Sequence, residues 1–210
     1  MQNNLIEPST LPELPPASPI EYWVLEQSLV PAISLILAGV LTLIVMRHRP
    51  SFKGIGLPIG VALILVGIGI QTVGSLTITE REHLRERSKA LVQSVADTDA
   101  STLHSLLEQD AELASMFTGS TRGADRIVQL ATTRNPGVVQ SAEVGKVHVG
   151  IYDGDLVATT QIRVRTQGSM VPSLSWWRVD WQRQRDSDPW LVTFIEPIWI
   201  QGVSNPGARN

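Results

Sequence analysis

The chain has 210 residues, a formal charge of −3 and no cysteine. That length holds one ordinary domain beside a smaller unit, and the missing thiols exclude disulfides, thiolate metal sites and cysteine nucleophiles. Residues 1–78 carry Arg47, Arg49 and Lys53 against Glu7, Glu13, Glu21 and Glu26, so the chain lacks the basic footprint of a nucleic-acid binder.

Residues 1–23 are rich in proline and polar side chains, with Pro8, Pro12, Pro15, Pro16 and Pro19. Such a stretch buries too little apolar surface to offset its ordering entropy, and a flexible tail is expected. It has no Lys or Arg and so lacks the basic start of a signal peptide. Two uncharged apolar runs, over 29–46 and from 55 on, follow in segments read as helices over 24–46 and 55–78 and joined by a basic turn over 47–54. Each approaches the roughly 20 residues that cross a bilayer core, which predicts a transmembrane helical hairpin. Tyr22 and Trp23 would anchor it at the membrane interface, with Arg47, Arg49 and Lys53 at the turn and Arg81, Arg85 and Lys89 just beyond. The basic asymmetry about the first run places the turn in the cytoplasm and the carboxy-terminal domain outside it. The cluster after the second run argues the reverse, and the first is taken as dominant. The expected location is therefore the cytoplasmic, or inner, membrane of a bacterium, with the lipid bilayer as partner.

Residues 79–203 read as one α+β domain, followed by a disordered tail over 204–210. Leu84, Ser88, Leu91, Val92 and Val95 recur at helical spacing. Asp97 or Asp99 can cap a second helix carrying Leu103, Leu106 and Leu107. Residues 111–117 suit a short strand, broken over 119–123, and a third helix is expected over 125–132. The period then falls to two. Strands are expected over 138–151, 156–165, 174–183 and 190–200, with Asp153-Gly154 as a tight turn and Pro197 marking a bulge. Helices first and antiparallel strands after predict helices packed on one face of a curved sheet.

The stretch Ser94–Leu113, the segment Trp177-Arg-Val-Asp-Trp181 and the closing Trp190-Leu-Val-Thr-Phe-Ile195 resemble the opening helices and final hairpin of the nuclear-transport-factor-2-like superfamily. The resemblance covers about residues 80–200. It implies a cystatin-like cone with a pocket at its wide end, often dimeric through its sheet. Isomerase-like members of that superfamily place a catalytic carboxylate near the strand after the second helix. Here Ser115-Met-Phe-Thr-Gly119 holds none, so no catalytic residue carries over.

His48, His83, His104 and His148 show no ligand spacing, and neither a metal nor a cofactor is expected. His148, Arg163 and Asp180 are polar groups on predicted strands. If they face inward they form a candidate pocket; if outward they are ordinary solvent-side residues. Trp177, Trp181 and Trp190 are core packing, or, where exposed, a candidate interface for a homodimer or another envelope protein. Two functions follow. The first is a non-enzymatic, membrane-anchored scaffold presenting an extracytoplasmic domain, similar in plan to periplasmic components of type IV secretion. The alternative is a tethered cone that binds or transforms an apolar small molecule.

Overall fold

A computed structural model describes residues 11–16, 29–48, 53–76, 79–115, 119–133, 139–152, 154, 156–168 and 171–203. The chain divides into two compact units, residues 16–80 and residues 81–210 joined by the amino-terminal stretch to Pro15.

The first unit is a helical hairpin of α1 (Leu29–His48) and α2 (Lys53–Leu76). Glycine lets the two backbones meet. A Cβ on Gly39 would lie 2.7 Å from the Gly60 carbonyl oxygen, and one on Gly67 would lie 2.9 Å from that of Ala32. The outward faces leave Leu37, Leu41, Leu65 and Val66 exposed. Among the described residues, however, no helix is long and apolar enough to cross a membrane. The expected two-span placement in a cytoplasmic membrane is corrected on this ground. Tyr22, Trp23 and Arg49 lie outside the described residues, as do the side chains of Arg47 and Lys53.

The second unit is α+β. Its elements run α3 (Glu80–Ala96), α4 (Ala100–Leu106), β1 (Leu107–Ser115), β2 (Gly119–Arg122), α5 (Ala124–Thr133), β3 (Val139–Ile151), β4 (Val157–Gly168), β5 (Leu174–Gln182) and β6 (Leu191–Ile200). The six strands form one sheet in the order β2-β1-β6-β5-β4-β3. All neighbours are antiparallel except β1 and β6, which run parallel. Residues 119–122, expected as a break, instead pair with Glu112–Ser115 as an edge strand. At Pro197 the pairing of β6 with β5 slips by one residue, in keeping with a side chain that supplies no ladder donor.

Strand pleating sorts the side chains. On β4, Ala158, Thr160, Ile162 and Val164 face the helices and are buried with Leu84, Leu91, Leu103, Ile127 and Val179. Each fully buried Leu or Ile contributes about 1.5–3 kcal/mol. Arg81, expected at a lipid surface, is only 6% exposed and donates from Nη1 to the Val149 carbonyl of β3. Lys89 stays exposed and pairs with Glu86 at 2.7 Å.

Asp99 caps α4. Its carboxylate accepts from the backbone N–H groups of Ser101 and Thr102 and from both their hydroxyls. These bonds, that from the Thr102 side chain foremost, hold its pKa down at about 2. The unfolded carboxyl titrates near 3.9, so between the two values the unfolded chain binds more protons. The cap therefore contributes fully above about pH 4 and fades as pH falls toward 2. An Asp99→Asn chain, followed by acid titration of its circular dichroism, is expected to lose this part of the pH dependence and keep the helix.

A buried polar cluster ties α3 to the sheet. Trp181, with 0% exposure, donates its indole N–H to Thr160 Oγ1 at 2.9 Å, and Ser88 Oγ donates to the same oxygen at 3.3 Å. Thr160→Val keeps the shape and orphans both donors. It should cost about 1–3 kcal/mol in urea unfolding, with Thr160→Ser restoring most of the loss.

Candidate functional site

Between the inward face of the sheet and the helices lies a cavity of about 370 Å³. Leu91, Val92 and Val95 of α3 and Ile127, Leu130 and Ala131 of α5 form one wall. Ile162, Val164, Trp177, Val179 and Ile195 of the central strands form the other. Helical spacing turns the apolar stripe of each helix inward, and strand alternation does the same for the sheet, so the wall is almost entirely carbon. Two of its polar side chains bond within the protein. Trp177 Nε1 donates to Ser175 Oγ at 2.8 Å, and Thr166 Oγ1 donates to the Pro172 carbonyl. Among the described residues, no Asp, Glu, His, Lys or Arg lines the cavity.

His148, Arg163 and Asp180 are not in that wall. Register places Gln161 opposite both His148 and Arg178, Arg163 opposite Trp176, and Asp180 opposite Thr159. These residues all belong to the outer face, one step of the pleat away from the cavity residues. Asp180 is spent in a local network. Its Oδ1 accepts from Thr159 Oγ1 at 2.7 Å and from Arg178 Nε at 3.0 Å, and Arg178 Nη1 also reaches Glu196 at 3.4 Å. Burial would lower the Arg178 pKa, but the hydrogen bond and charge of Asp180, aided by Glu196, raise it instead. The His148 ring stacks on Trp176, 5.7 Å between centroids.

The three tryptophans considered as an interface turn inward. Trp181 and Trp190 are 0% and 1% exposed, and Trp177 lines the cavity. Arg183 lies 4.6 Å over the Trp190 ring, and Arg87 Nη1 donates to the Trp190 carbonyl at 2.7 Å. These contacts make Trp190 an anchor for the start of β6 rather than a surface group.

A second, polar concavity of about 540 Å³ lies where β1, β2 and the start of α5 meet. There the exposed His104 and Asp125 approach to 3.1 Å. They are 21 residues apart, so no local spacing could have revealed the pair. Among the described residues, no group of three His, Cys, Asp or Glu side chains is placed to hold a metal ion.

The chain matches no protein-family model and no curated protein sequence. It is similar in structure to a nuclear-transport-factor-2-like protein with a cystatin-like fold from Novosphingobium aromaticivorans, with 19% identity, 60% of this chain and 84% of that one covered, and a TM-score of 0.48. A nuclear-transport-factor-2-like protein from Cytophaga hutchinsonii gives 12% identity, 57% and 97% coverage and a TM-score of 0.48. The hexachlorocyclohexane dehydrochlorinase LinA-type3 of Novosphingobium barchaimii gives 12%, 60% and 90%, with a TM-score of 0.49. A likeness at this level assigns no role to any residue, so the chemistry has to come from the cavity wall itself.

That wall was partly foreshadowed by the alternation in β4 and β5. The polar residues picked out by type sit on the far side of the sheet. One consequence can be measured there. Asp180→Ala leaves Arg178 with the longer contact to Glu196 and orphans the hydroxyl of the buried Thr159. A loss of about 1–3 kcal/mol in urea unfolding is expected, of which only the ion-pair part shrinks in 1 M salt.

Proposed function

We propose that the α+β unit binds an apolar small molecule in the cavity between α3, α5 and the inward face of the sheet. The observation that carries this is the wall itself, a space of about 370 Å³ bounded by aliphatic side chains and Trp177. A well-packed core leaves few voids larger than a water molecule, whereas ligand sites occupy about 300–1,000 Å³. Ser175 Oγ accepts one bond from Trp177 and keeps its own O–H, which can donate once to a ligand. The ligand class is thus a mostly hydrocarbon molecule with a single acceptor atom, such as a ketone or ether oxygen. Acid or base catalysis needs a titratable group within about 3 Å of the moving proton, and the described residues of this wall offer none. The reading is of a binder, the second of the two functions expected from the sequence, and the first, a membrane-presented scaffold, is set aside.

The test uses the full chain and two probes, naphthalene and 1-acetylnaphthalene. Both should bind with a negative heat-capacity change in calorimetry, and the ketone should bind more tightly, by about fivefold to tenfold for one added hydrogen bond. Probe at 100 times its dissociation constant should stabilise the unit by about 2.7 kcal/mol. Ile162→Trp places an indole in the cavity and should abolish binding while the near-ultraviolet dichroism stays folded. Ser175→Ala should erase only the preference for the ketone. Unchanged naphthalene binding in Ile162→Trp would put the probe elsewhere, on the exposed face of the hairpin for instance, and would end this reading.

A further inference from the structure

The outer face of the sheet carries a feature that the cavity does not use. Residues 11–15, from the proline-rich amino terminus, belong to the α+β unit although residues 16–80 separate them from it in sequence. Gly150 on β3 makes room for them. A Cβ there would lie 2.6 Å from Pro15 Cδ, closer than real Cβ atoms approach, and 3.0 Å from Leu14 Cβ, a tight contact. Beside it, the Gln161 side chain is 2% exposed and donates from Nε2 to the Pro12 carbonyl at 2.7 Å. Trp176, a diagonal neighbour on the same face, is 3% exposed, and its indole N–H has no hydrogen-bond partner among the described residues.

These features suit one kind of occupant. Proline lacks an N–H and holds φ near −65°, and it forces the residue before it into an extended conformation. Leu11, Leu14 and Pro15 each precede a proline. Such a segment presents carbonyl acceptors outward and little else, so a surface that reads it needs donors beside apolar slots. Gln161 is the donor, the unpartnered Trp176 indole N–H offers a second that residues 11–15 leave unused, Gly150 is the slot, and His148 stacked on Trp176 extends the aromatic floor. An ordinary solvent-side glutamine or tryptophan would not be buried on the outer face of a sheet. Their burial, together with a glycine whose missing side chain is filled by Pro15, marks a groove shaped to its occupant.

We infer that this outer face is a recognition groove for extended proline-rich segments, and that residues 11–15 are its occupant in cis, exchangeable with a free peptide of the same chemistry. A tethered strap competes at an effective concentration of order millimolar, so the groove reports both the strap and any peptide that displaces it.

The chain has no native cysteine, so Leu14→Cys is a unique reporter in the full-length protein. Its labelling by a thiol reagent should be at least tenfold slower in the native chain than in urea. Adding Gly150→Leu should bring it close to the urea rate while near-ultraviolet dichroism remains that of the folded unit. In a separate chain the strap is emptied by Leu11→Ser, Leu14→Ser and Pro15→Ser. A fluorescent peptide spanning the sequence of residues 9–18 should bind this chain by anisotropy. It should lose at least tenfold in affinity when Gln161→Ala is added and should not bind when Gly150→Leu is added. A peptide with alanine in place of its prolines should bind at least tenfold more weakly. Labelling of Leu14→Cys at the urea rate in the native background would overturn the strap. Absence of peptide binding to the emptied chain, or binding indifferent to Gly150→Leu, would overturn the groove.

Discussion

The α+β unit depends on one constraint, the strict alternation of side chains along β4 and β5. With a period of two, Ala158, Thr160, Ile162 and Val164 must share a face, and Thr159, Gln161, Arg163 and Arg165 must share the other. The first set is apolar except for Thr160, whose hydroxyl is engaged by Trp181 and Ser88, so it can lie beneath α3 without an unsatisfied group. The second set carries two arginines and a glutamine and can only lie outside. A slip of one residue in register would bury those arginines, at a cost far beyond the stability of a domain this size. The carbon-lined cavity and the polar outer surface are therefore two consequences of one pattern.

This also explains what was legible before the structure. The strands from β3 to β6 and the helix α5 begin and end within three residues of their expected limits, because alternation, turn residues and apolar stripes are local signals. The parallel pairing of β1 with β6 is not local. Leu113 and Ile195 meet across the sheet although the chain makes most of the domain between them. Nor does residue type reveal the face on which a polar side chain sits. His148, Arg163 and Asp180 attracted attention as buried candidates, and the register places them opposite the cavity. The groups that define the cavity were counted as core, which is how an apolar wall reads when only its composition is known.

Composition alone does not show that residues 11–15 pack on the sheet, for a related reason. A proline-rich stretch cannot build a core of its own, but it does not need one where a neighbour supplies the apolar surface. The stiffness of proline then becomes an advantage, since less conformational entropy is lost when such a segment is held. The decisive residues, Gly150 and Gln161, lie about 140 residues further along the chain. A glycine within a strand was the available signal, because strand glycines often mark the close approach of another backbone.

The hairpin shows the same logic in helices. Gly39, Gly60 and Gly67 are placed where α1 and α2 come closest, so small residues set the packing distance, as expected for helices that contact through backbone rather than through large side chains. In the α+β unit the reverse holds. There the helices stand away from the sheet on long aliphatic side chains, and the space they leave is the cavity. Filling it with larger residues would add packing and remove the site, while introducing a carboxylate would impose a desolvation cost of several kcal/mol with no partner on the wall to offset it. An interior so arranged is well matched to hold an uncharged guest. Stabilising a charge that develops in a reaction needs preorganised donors aimed at the reacting atom, and among the described wall residues the Ser175 hydroxyl is the group with a proton to give.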